Sequence, residues 1–449
     1  MSTLNVDGTR NWLRPKLARG RFLKRRRIVG YALIALFVAL PLIEIGGRPA
    51  MLLDLVDREL SLFGMVFRPS DGFLLMLLGL AIVLSVFLVT ALFGRVWCGW
   101  GCPQIVYLEH VYRPIERLLE GTPAQQAKLA RFHPRRLLKW VVFAVVSFVL
   151  ANVFLAYFVG VSRLQMWVID SPAEHLSGFF VVVGTSALML FDFAYFREQT
   201  CIVACPYGRL QSVLLDRQSL IVGYDVQRGE PRGKPKKSLP VLEHRGDCVD
   251  CSACVVVCPT GIDIREGLQM ECIGCAQCID ACDAVMDKLR RPRHLIGYTS
   301  QDRLAGKVGR LLRVRTVLYP VLLVVAVGLL AWNVAGKPTT EVTVDRITGP
   351  SFVELPDGQI SSQARIKLEN DSEQVRHYTL AVVEPVGLPM RSAYKWDVGP
   401  RKSIVIPVFI DVPRDRFVEG KLQVYIEVIE TGGFHRVVHV TLLGPAVTP

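Results

Sequence analysis

Residues 248–259 read CVDCSACVVVCP, and residues 272–282 read CIGCAQCIDAC. Both runs have the spacing Cys-x2-Cys-x2-Cys-x3-Cys, in which three thiolates on one tight loop bind three irons of a cubane 4Fe-4S cluster and the fourth cysteine ligates the other cluster. Structural zinc prefers two separated cysteine pairs with four ligands per ion, so two complete tandem runs disfavour it. The spacing therefore predicts two clusters, the first held by Cys248, Cys251, Cys254 and Cys282, and the second by Cys258, Cys272, Cys275 and Cys278.

The composition around these runs is that of a membrane protein. Of the 449 residues, 51% are hydrophobic, and the mean hydropathy is +0.34. The net charge is +13, but from Thr340 onward 12 Lys and Arg stand against 14 Asp and Glu, a net charge of −2 that leaves +15 for the preceding part. Because this positive charge lies in loops beside hydrophobic segments, it indicates membrane orientation and not nucleic-acid binding.

Apolar segments of membrane-spanning length occur five times. A helix needs about 20 residues to cross the hydrocarbon layer of about 30 Å. The segments cover roughly 28–46, 73–95, 137–158, 176–196 and 315–333. Lys and Arg are abundant before the first segment, in the loop 96–136 and in the stretch 197–314. The positive-inside rule therefore predicts a multi-pass membrane protein with its N-terminus and both clusters in the cytoplasm and its C-terminal part outside. The stretch 48–71 is amphipathic and is expected to lie along the outer interface.

The residues after Thr340 alternate between apolar and polar side chains, as half-buried strands do. Six such stretches occur, at 341–344, 364–368, 378–383, 404–410, 422–426 and 437–442. Short strands separated by Gly, Pro, Asn and Asp over about 110 residues predict an immunoglobulin-like sandwich.

The remaining four cysteines form two matching motifs. Cys98-x3-Cys102-Pro103 follows the second apolar segment, and Cys201-x3-Cys205-Pro206 follows the fourth. Cysteines four apart lie on one face of a helical turn. If the two halves pack together, four thiols converge at the membrane edge and favour a soft metal, Cu(I) first, or an iron–sulfur cluster. A thiol pair that cycles through a disulfide, or four ordinary cysteines, are the alternatives.

These features predict a multi-domain membrane protein: an α-helical bundle of five transmembrane helices, an inserted cytoplasmic α+β domain of the bacterial-ferredoxin type with two 4Fe-4S clusters, and a C-terminal all-β immunoglobulin-like sandwich. The predicted parts are a basic cytoplasmic arm at 1–27, a four-helix membrane region at 28–206, the ferredoxin-type domain with its linkers at 207–314, a fifth transmembrane helix at 315–333 and the outer domain at 338–449.

The motifs resemble those of the cytochrome c oxidase accessory proteins of the CcoG/FixG/RdxA type. The resemblance runs through Trp97-Cys98-Gly99-Trp100-Gly101-Cys102-Pro103-Gln104, the Cys201 motif with Pro206-Tyr207-Gly208-Arg209, Arg228-Gly229-Glu230-Pro231, and both ferredoxin-type runs. It covers essentially the whole chain and is loose only in the tail. A simple bacterial ferredoxin has proline after the last cysteine, where this chain has Asp283, a position outside the ligand set.

The resemblance implies an inner-membrane electron carrier that reduces Cu(II) to Cu(I) during assembly of the cbb3-type oxidase. Cys98, Cys102, Cys201 and Cys205 would then be the copper-binding or redox-active cysteines. The implied partners are membrane lipid, oxidase subunits or assembly factors, a cytoplasmic electron donor and the copper ion. Two alternatives remain open: a quinol-linked electron-transfer subunit, and a non-enzymatic scaffold whose outer sandwich binds an oxidase subunit.

Overall fold

The computed structural model describes residues 7, 10–130, 132–233, 246–308, 313–345 and 352–445, apart from 357, 373, 394 and 401. Part of the predicted basic arm (residues 1–6, 8 and 9) and most of the polar linker at 226–247 (residues 234–245) lie outside the described residues. The chain forms two compact units, Met1–Trp332 and Asn333–Pro449. The predicted four-helix membrane region and the ferredoxin-type region both lie within the first unit.

The α-helices are, in chain order, α1 (Arg21–Ala39), α2 (Gly72–Phe93), α3 (Val96–Trp100), α4 (Pro103–Tyr107), α5 (Arg113–Glu120), α6 (Pro123–Lys128), α7 (Pro134–Val159), α8 (Val161–Ile169), α9 (Leu176–Leu190), α10 (Pro206–Leu214), α11 (Val226–Gly229), α12 (Ala253–Val256), α13 (Gln277–Lys288), α14 (Gln301–Leu304) and α15 (Val314–Ala335). π-Helical turns occur at Leu108–Tyr112, Phe191–Phe196 and Thr200–Ala204, and 3-10 turns at Pro69–Asp71, Ile264–Glu266 and Arg414–Arg416.

The strands are β1 (Glu44–Ile45), β2 (Arg48–Pro49), β3 (Met51–Asp54), β4 (Glu59–Leu62), β5 (Met65–Phe67), β6 (Ile221–Tyr224), β7 (Ile296–Thr299), β8 (Thr340–Asp345), β9 (Phe352–Glu354), β10 (Gln359–Asn370), β11 (Arg376–Glu384), β12 (Met390–Arg391), β13 (Lys395–Val398), β14 (Ser403–Pro413), β15 (Lys421–Glu430) and β16 (His435–Leu443).

Four helices in the described part of the chain are long and apolar enough to cross a membrane: Pro69–Phe93, Pro134–Val159, Leu176–Phe196 and Val314–Ala335. The first predicted span has different bounds, because α1 begins at Arg21 and ends at Ala39, just before Pro41. Most residues of its first two turns are Lys or Arg. The apolar part of the helix is therefore Ile28 to Ala39, about 18 Å long. The count of five spans stays a prediction.

The stretch after α1, which was predicted to lie along the outer interface, consists of short strands. Residues 44–67 form a two-stranded ladder, β1–β2, and a three-stranded antiparallel sheet, β3–β4–β5. Ion pairs stabilise these turns, with Arg48 2.6 Å from Glu59 and Arg163 of α8 3.2 Å from Asp54. The apolar and polar residues of this stretch therefore lie in short strands.

The second unit is a sandwich of two antiparallel sheets, and the predicted immunoglobulin-like fold is confirmed. One sheet has the order β12–β14–β10–β8, with β9 also paired to β10, and the other has the order β13–β11–β15–β16. Alternate side chains of both sheets fill a common core that includes Ile366, Tyr378, Val408 and Ile426. All six predicted strands occur, extended by one to five residues at their ends.

Candidate functional site

The two ferredoxin-type runs fold into matching loops. In the first loop, Asp250 and Ser252 have φ angles of 50° and 54°, and in the second, Gly274 and Ala276 at the equivalent positions have 67° and 60°. Residues other than glycine adopt this left-handed region of φ at a cost in free energy. In each loop, the two residues in this region turn the chain twice between the first three cysteines. Each loop then runs into a helix, α12 or α13. Strands β6 and β7, which flank the runs, pair antiparallel and close this region.

The thiols of the two runs lie in two groups. Burial raises the pKa of Cys282 to about 12, and nearby charges, those of Cys254, Cys251 and Cys248 among them, add to that rise. Burial also raises the pKa of Cys278, with additional contributions from Cys275, Cys272, Cys258 and Cys254. The last cysteine of each run therefore lies near the first three of the other run, and Cys254 lies near both groups. A cavity between the loops is lined by Cys254, Cys258, Cys272, Cys275 and Cys278.

Eight thiols in this arrangement fit two 4Fe-4S clusters. Each iron of a cubane cluster takes one thiolate, so two clusters need eight cysteine ligands, the number that the two runs supply. Asp283, the departure from the simple ferredoxin pattern, accepts a hydrogen bond from the backbone N–H of His294 at 2.9 Å.

The two Cys-x3-Cys-Pro motifs have matching geometry. Cys98 lies in α3 and Cys201 in the π-helical turn Thr200–Ala204, while Cys102 and Cys205 precede the prolines that begin α4 and α10. The predicted single helical turn is therefore broken. The residue before a proline avoids the α region, and both Cys102 and Cys205 are extended, with ψ angles of 124° and 110°.

The four thiols of these motifs nevertheless come together. Burial raises the pKa of Cys201, and the charges of Cys102, Cys98 and Cys205 raise it further. Burial raises the pKa of Cys98 to about 11 against the opposing effect of Arg95. Cys98 donates a hydrogen bond from Sγ to Oε1 of the fully buried Gln211 at 3.0 Å. Burial therefore favours the protonated thiols, and a nearby cation or metal ion would favour the thiolate.

The first motif packs directly against the second ferredoxin-type loop. Cys98 and Cys275 belong to one buried cluster, together with Ile105 and Ile273, and Cys201 packs against it. A hydrogen-bond chain runs beside this contact from Trp100 Nε1 to the Tyr298 hydroxyl at 3.0 Å, and from that hydroxyl to the Gly274 carbonyl at 2.7 Å. The membrane-edge thiols and the second cluster site are therefore adjacent.

Gly99 fits this contact because it has no side chain. A Cβ atom at Gly99 would lie 2.6 Å from the Ile273 carbonyl oxygen and 2.9 Å from the backbone N and Cα of Cys275. The carbonyl of Gly99 also accepts a hydrogen bond from Arg26 Nε at 2.9 Å. The two segments can approach this closely only with glycine at position 99.

We expect Gly99→Ala to destabilise this contact by about 1–3 kcal/mol, since backbone atoms cannot yield to the added methyl group as a flexible side chain can. Thermal denaturation in detergent, followed by the visible absorbance of the clusters, measures the loss. Gly79→Ala in α2 is the control, because a Cβ atom there meets nothing within 4 Å. Equal stability of the two variants would show that the contact tolerates a side chain.

Sequence reasoning missed a buried charge network between the two motifs. Glu198, 1% exposed, lies 3.3 Å from Arg113 and 3.4 Å from Arg10. Arg197 pairs with Glu116 at 3.1 Å, and Lys139 of α7 lies 3.3 Å from the same carboxylate. Arg113 also donates to the Pro259 carbonyl, next to Cys258, at 3.4 Å. The only signal in the sequence is the charged pair Arg197-Glu198 just before the second motif.

The first helix begins on the ferredoxin-type region. Asp280, between Cys278 and Cys282, accepts hydrogen bonds from the backbone N–H groups of Phe22 and Leu23 at 3.1 and 2.8 Å. A carboxylate at a helix N-terminus satisfies otherwise unpaired donors and interacts favourably with the helix dipole. The cluster-binding helix α13 and α1 are thereby joined.

Three protein-family models match this chain. Residues 196–301 match a 4Fe-4S dicluster domain, residues 75–121 match a 4Fe-4S binding domain, and residues 330–445 match the immunoglobulin-like fold at the C-terminus of FixG, a putative oxidoreductase. The second match covers Cys98 and Cys102.

Curated relatives match over most of their length. Protein RdxA of Cereibacter sphaeroides is 37% identical over 393 residues, which cover 84% of this chain and 80% of the relative. Protein RdxB of the same organism is 35% identical over 364 residues, or 76% of this chain and 74% of the relative. The nitrogen fixation protein FixG of Rhizobium meliloti is 31% identical over 461 residues, or 91% of this chain and 87% of the relative.

Proposed function

This chain belongs to the FixG/RdxA family of membrane iron–sulfur electron-transfer proteins, and we propose that it reduces Cu(II) to Cu(I) during assembly of a cbb3-type cytochrome c oxidase. Its oxidoreductase character follows from the 4Fe-4S domains. The proposed part is that copper is the substrate and that the reduced copper serves the assembly of the oxidase.

Two sets of cysteines would hold the clusters: Cys248, Cys251, Cys254 and Cys282 for the first, and Cys272, Cys275, Cys278 and Cys258 for the second. A bound 4Fe-4S cluster supplies one-electron transfer, the chemistry that copper reduction needs. Four of these cysteines are buried, Cys248, Cys254, Cys275 and Cys282, whereas Cys251 is exposed to solvent.

The observation that carries the proposal is that Cys98 and Cys275 belong to one buried cluster and that Gly99 lies against the backbone of Cys275. It sets the four thiols Cys98, Cys102, Cys201 and Cys205 beside the second cluster site. Each Cu(II) ion bound there takes up one electron and leaves as Cu(I). Soft thiolate ligands stabilise Cu(I) over Cu(II), so they favour this step.

A second occupant of these four thiols is supported by the match of residues 75–121 to a 4Fe-4S binding domain. In that case the thiols hold a third cluster and pass electrons to another acceptor. Iron analysis separates the two possibilities: about eight irons per chain for two clusters and about twelve for three.

The charge of the loops supports an orientation with the clusters in the cytoplasm and the immunoglobulin-like domain outside the inner membrane. Electrons would then enter from the cytoplasmic side. A protease added to the outside of spheroplasts should remove the C-terminal domain and leave the cluster region intact.

The test is anaerobic re-oxidation. The purified full chain is reduced, Cu(II) is added with a Cu(I) chelator, and cluster absorbance and Cu(I) are followed together. We expect one Cu(I) for each electron lost, and at least a roughly tenfold slower reaction in the double variant Cys98→Ser/Cys201→Ser, because serine is a poor ligand for soft copper.

Val203→Ser is the matched control, since it adds a hydroxyl to the turn that carries Cys201 and removes no thiol. The control should react at the wild-type rate, and the double variant should keep its iron. Wild-type kinetics in the double variant would rule out copper reduction at these thiols.

A further inference from the structure

Two buried arginines lie beside the second set of cluster cysteines. Arg26 is 1% exposed and Arg95 is 8% exposed. Arg26 donates a hydrogen bond from Nε to the Gly99 carbonyl at 2.9 Å, and a Cβ atom at Gly99 would lie 2.9 Å from the backbone nitrogen of Cys275. Burial raises the pKa of Cys275 to about 12, and the positive charge of Arg26 opposes that rise. The Arg26 side chain therefore borders the loop that carries Cys275.

Arg95 borders the same loop. Its guanidinium donates hydrogen bonds to the carbonyl of Met270, two residues before Cys272, and to the carbonyl of Gly208 at 2.9 Å. Arg95 and Cys272 line one small cavity, and the charge of Arg95 lowers the pKa of Cys272, which burial raises. The same charge opposes the effect of burial on the pKa of Cys98. Arg95 therefore acts on the second set and on the first Cys-x3-Cys-Pro motif alike.

The two arginines differ from most buried charges in their partners. In the part of the chain that the structure describes, neither forms an ion pair, and Arg26 Nη2 and Arg95 Nε have no hydrogen-bond partner. Glu109, whose carboxylate interacts with the charge of Arg26, is itself paired with Arg113. A buried charge without a counterion is costly, so a negatively charged group from outside the polypeptide fits beside these arginines. A 4Fe-4S cluster with four thiolate ligands is such a group.

The charges around the first set are balanced differently. Arg265 is paired with Asp263 at 2.6 Å. Burial raises the pKa of Cys254, and of these two charges Arg265 lowers that pKa while Asp263 raises it. The carboxylate of Asp283 adds to the effect of burial on the pKa of Cys282. Buried arginine charge without a carboxylate partner is thus a feature of the second set.

We propose that the charges of Arg26 and Arg95 raise the reduction potential at the second set of cysteines above that at the first. Reduction adds one negative charge, which a nearby cation stabilises, and the low dielectric of a buried site strengthens that attraction. When one electron moves within the pair, the first set loses it and the second set gains it. The two arginines thereby hold the electron beside the Cys-x3-Cys-Pro thiols.

This proposal rests on the cluster assignment of the proposed function, but not on copper as the substrate. Solvent near the exposed Cys251 works against the difference, since water also stabilises the reduced state of a cluster. The two buried charges outweigh it because solvent and salt screen them little.

The test is a redox titration of the purified full chain, loaded with its clusters and free of copper, followed by electron paramagnetic resonance. We expect two midpoint potentials. Arg26→Gln should lower the higher midpoint by about 59 mV, a tenfold change in a one-electron equilibrium, and leave the lower midpoint unchanged. Arg26→Lys, which keeps the charge, should return the higher midpoint towards the wild-type value.

Further variants assign the two midpoints. Asp283→Asn removes a negative charge next to Cys282 and should raise only the lower midpoint. Cys258→Ser removes a ligand of the second set and should keep only the lower midpoint. Arg217→Gln is the matched control, because this guanidinium is 67% exposed and solvent screens its charge, so neither midpoint should move.

Three outcomes would overturn the proposal: a single midpoint for both clusters, a shift of the lower midpoint in Arg26→Gln, or the same shift in Arg26→Gln and Arg26→Lys. If Arg26→Gln loses its iron, Asp283→Asn decides, and an unchanged lower midpoint in that variant contradicts the proposal. Because the titration contains no copper, the expected midpoints without copper reduction would overturn only the copper proposal. Normal copper reduction with any of the three outcomes would overturn only the role of the arginines.

Discussion

Cys258→Ser is expected to remove the second cluster and to leave the first, although Cys258 belongs to the first run. Its thiol lies near those of Cys272, Cys275 and Cys278, since burial raises the pKa of Cys278 and the charges of Cys275, Cys272, Cys258 and Cys254 raise it further. Serine does not replace a thiolate in a 4Fe-4S cluster with full stability, so iron should fall from about eight to about four per chain. Iron and acid-labile sulfide analysis of the purified variant measures this loss.

The loss of the second cluster should also stop copper reduction, because Cys275, a proposed ligand of that cluster, packs in the same buried group of side chains as Cys98. Cys254→Ser should lose the other cluster, and Cys272→Ser should give the same spectrum as Cys258→Ser. Val256→Ser, at an exposed position of the same run, is the control and should keep both clusters. If Cys258→Ser and Cys254→Ser lost the same cluster, each run would hold its own cluster and the crossed assignment would be wrong.

The immunoglobulin-like domain could be predicted from the sequence because its strands are half buried. In β10, buried and partly exposed side chains alternate from Gln359 to Leu368, and that period of two is visible in the residue types. The cysteine spacing was equally informative, since ligand geometry restricts the residues between thiols. Both signals are local in the chain.

The structural features that the sequence did not predict depend on contacts between residues distant in the chain or on competing local effects. Gly99 and Cys275 are 176 residues apart in the chain, and neither residue type indicates that they approach each other. The start of α1 at Arg21 depends on Asp280, which accepts hydrogen bonds from its first turn. The β-strands at 44–67 were not predicted, because apolar residues in so short a stretch fit the period of a helix as well as that of a strand.

The position of the two Cys-x3-Cys-Pro motifs illustrates the same limit. Their repetition predicted four neighbouring thiols, and the mutual effects of those thiols on the pKa of Cys201 agree with that. The charged side chains that join the two halves do not repeat, however. Glu198 precedes the second motif, whereas Arg113 follows the first, so comparison of the motifs alone does not reveal the pair.

Glu198→Gln is expected to destabilise the first unit by about 3 kcal/mol, because it removes a buried carboxylate that pairs with Arg10 and with the buried Arg113, which keeps Glu109 as a partner. Arg113 is 2% exposed and Arg10 loses its carboxylate partner at 3.4 Å, while glutamine preserves the shape of the side chain. Thermal denaturation in detergent, followed by cluster absorbance, measures the change.

The control for this variant is Asp287→Asn, since Asp287 and Arg293 form an exposed pair at 2.6 Å. Exposed pairs contribute little, so we expect no measurable change there. Because Arg113 also holds the Pro259 carbonyl beside Cys258, the second cluster should be lost before the first as Glu198→Gln unfolds. Simultaneous loss of both clusters at the wild-type temperature would show that this network supports neither the fold nor the cluster loop.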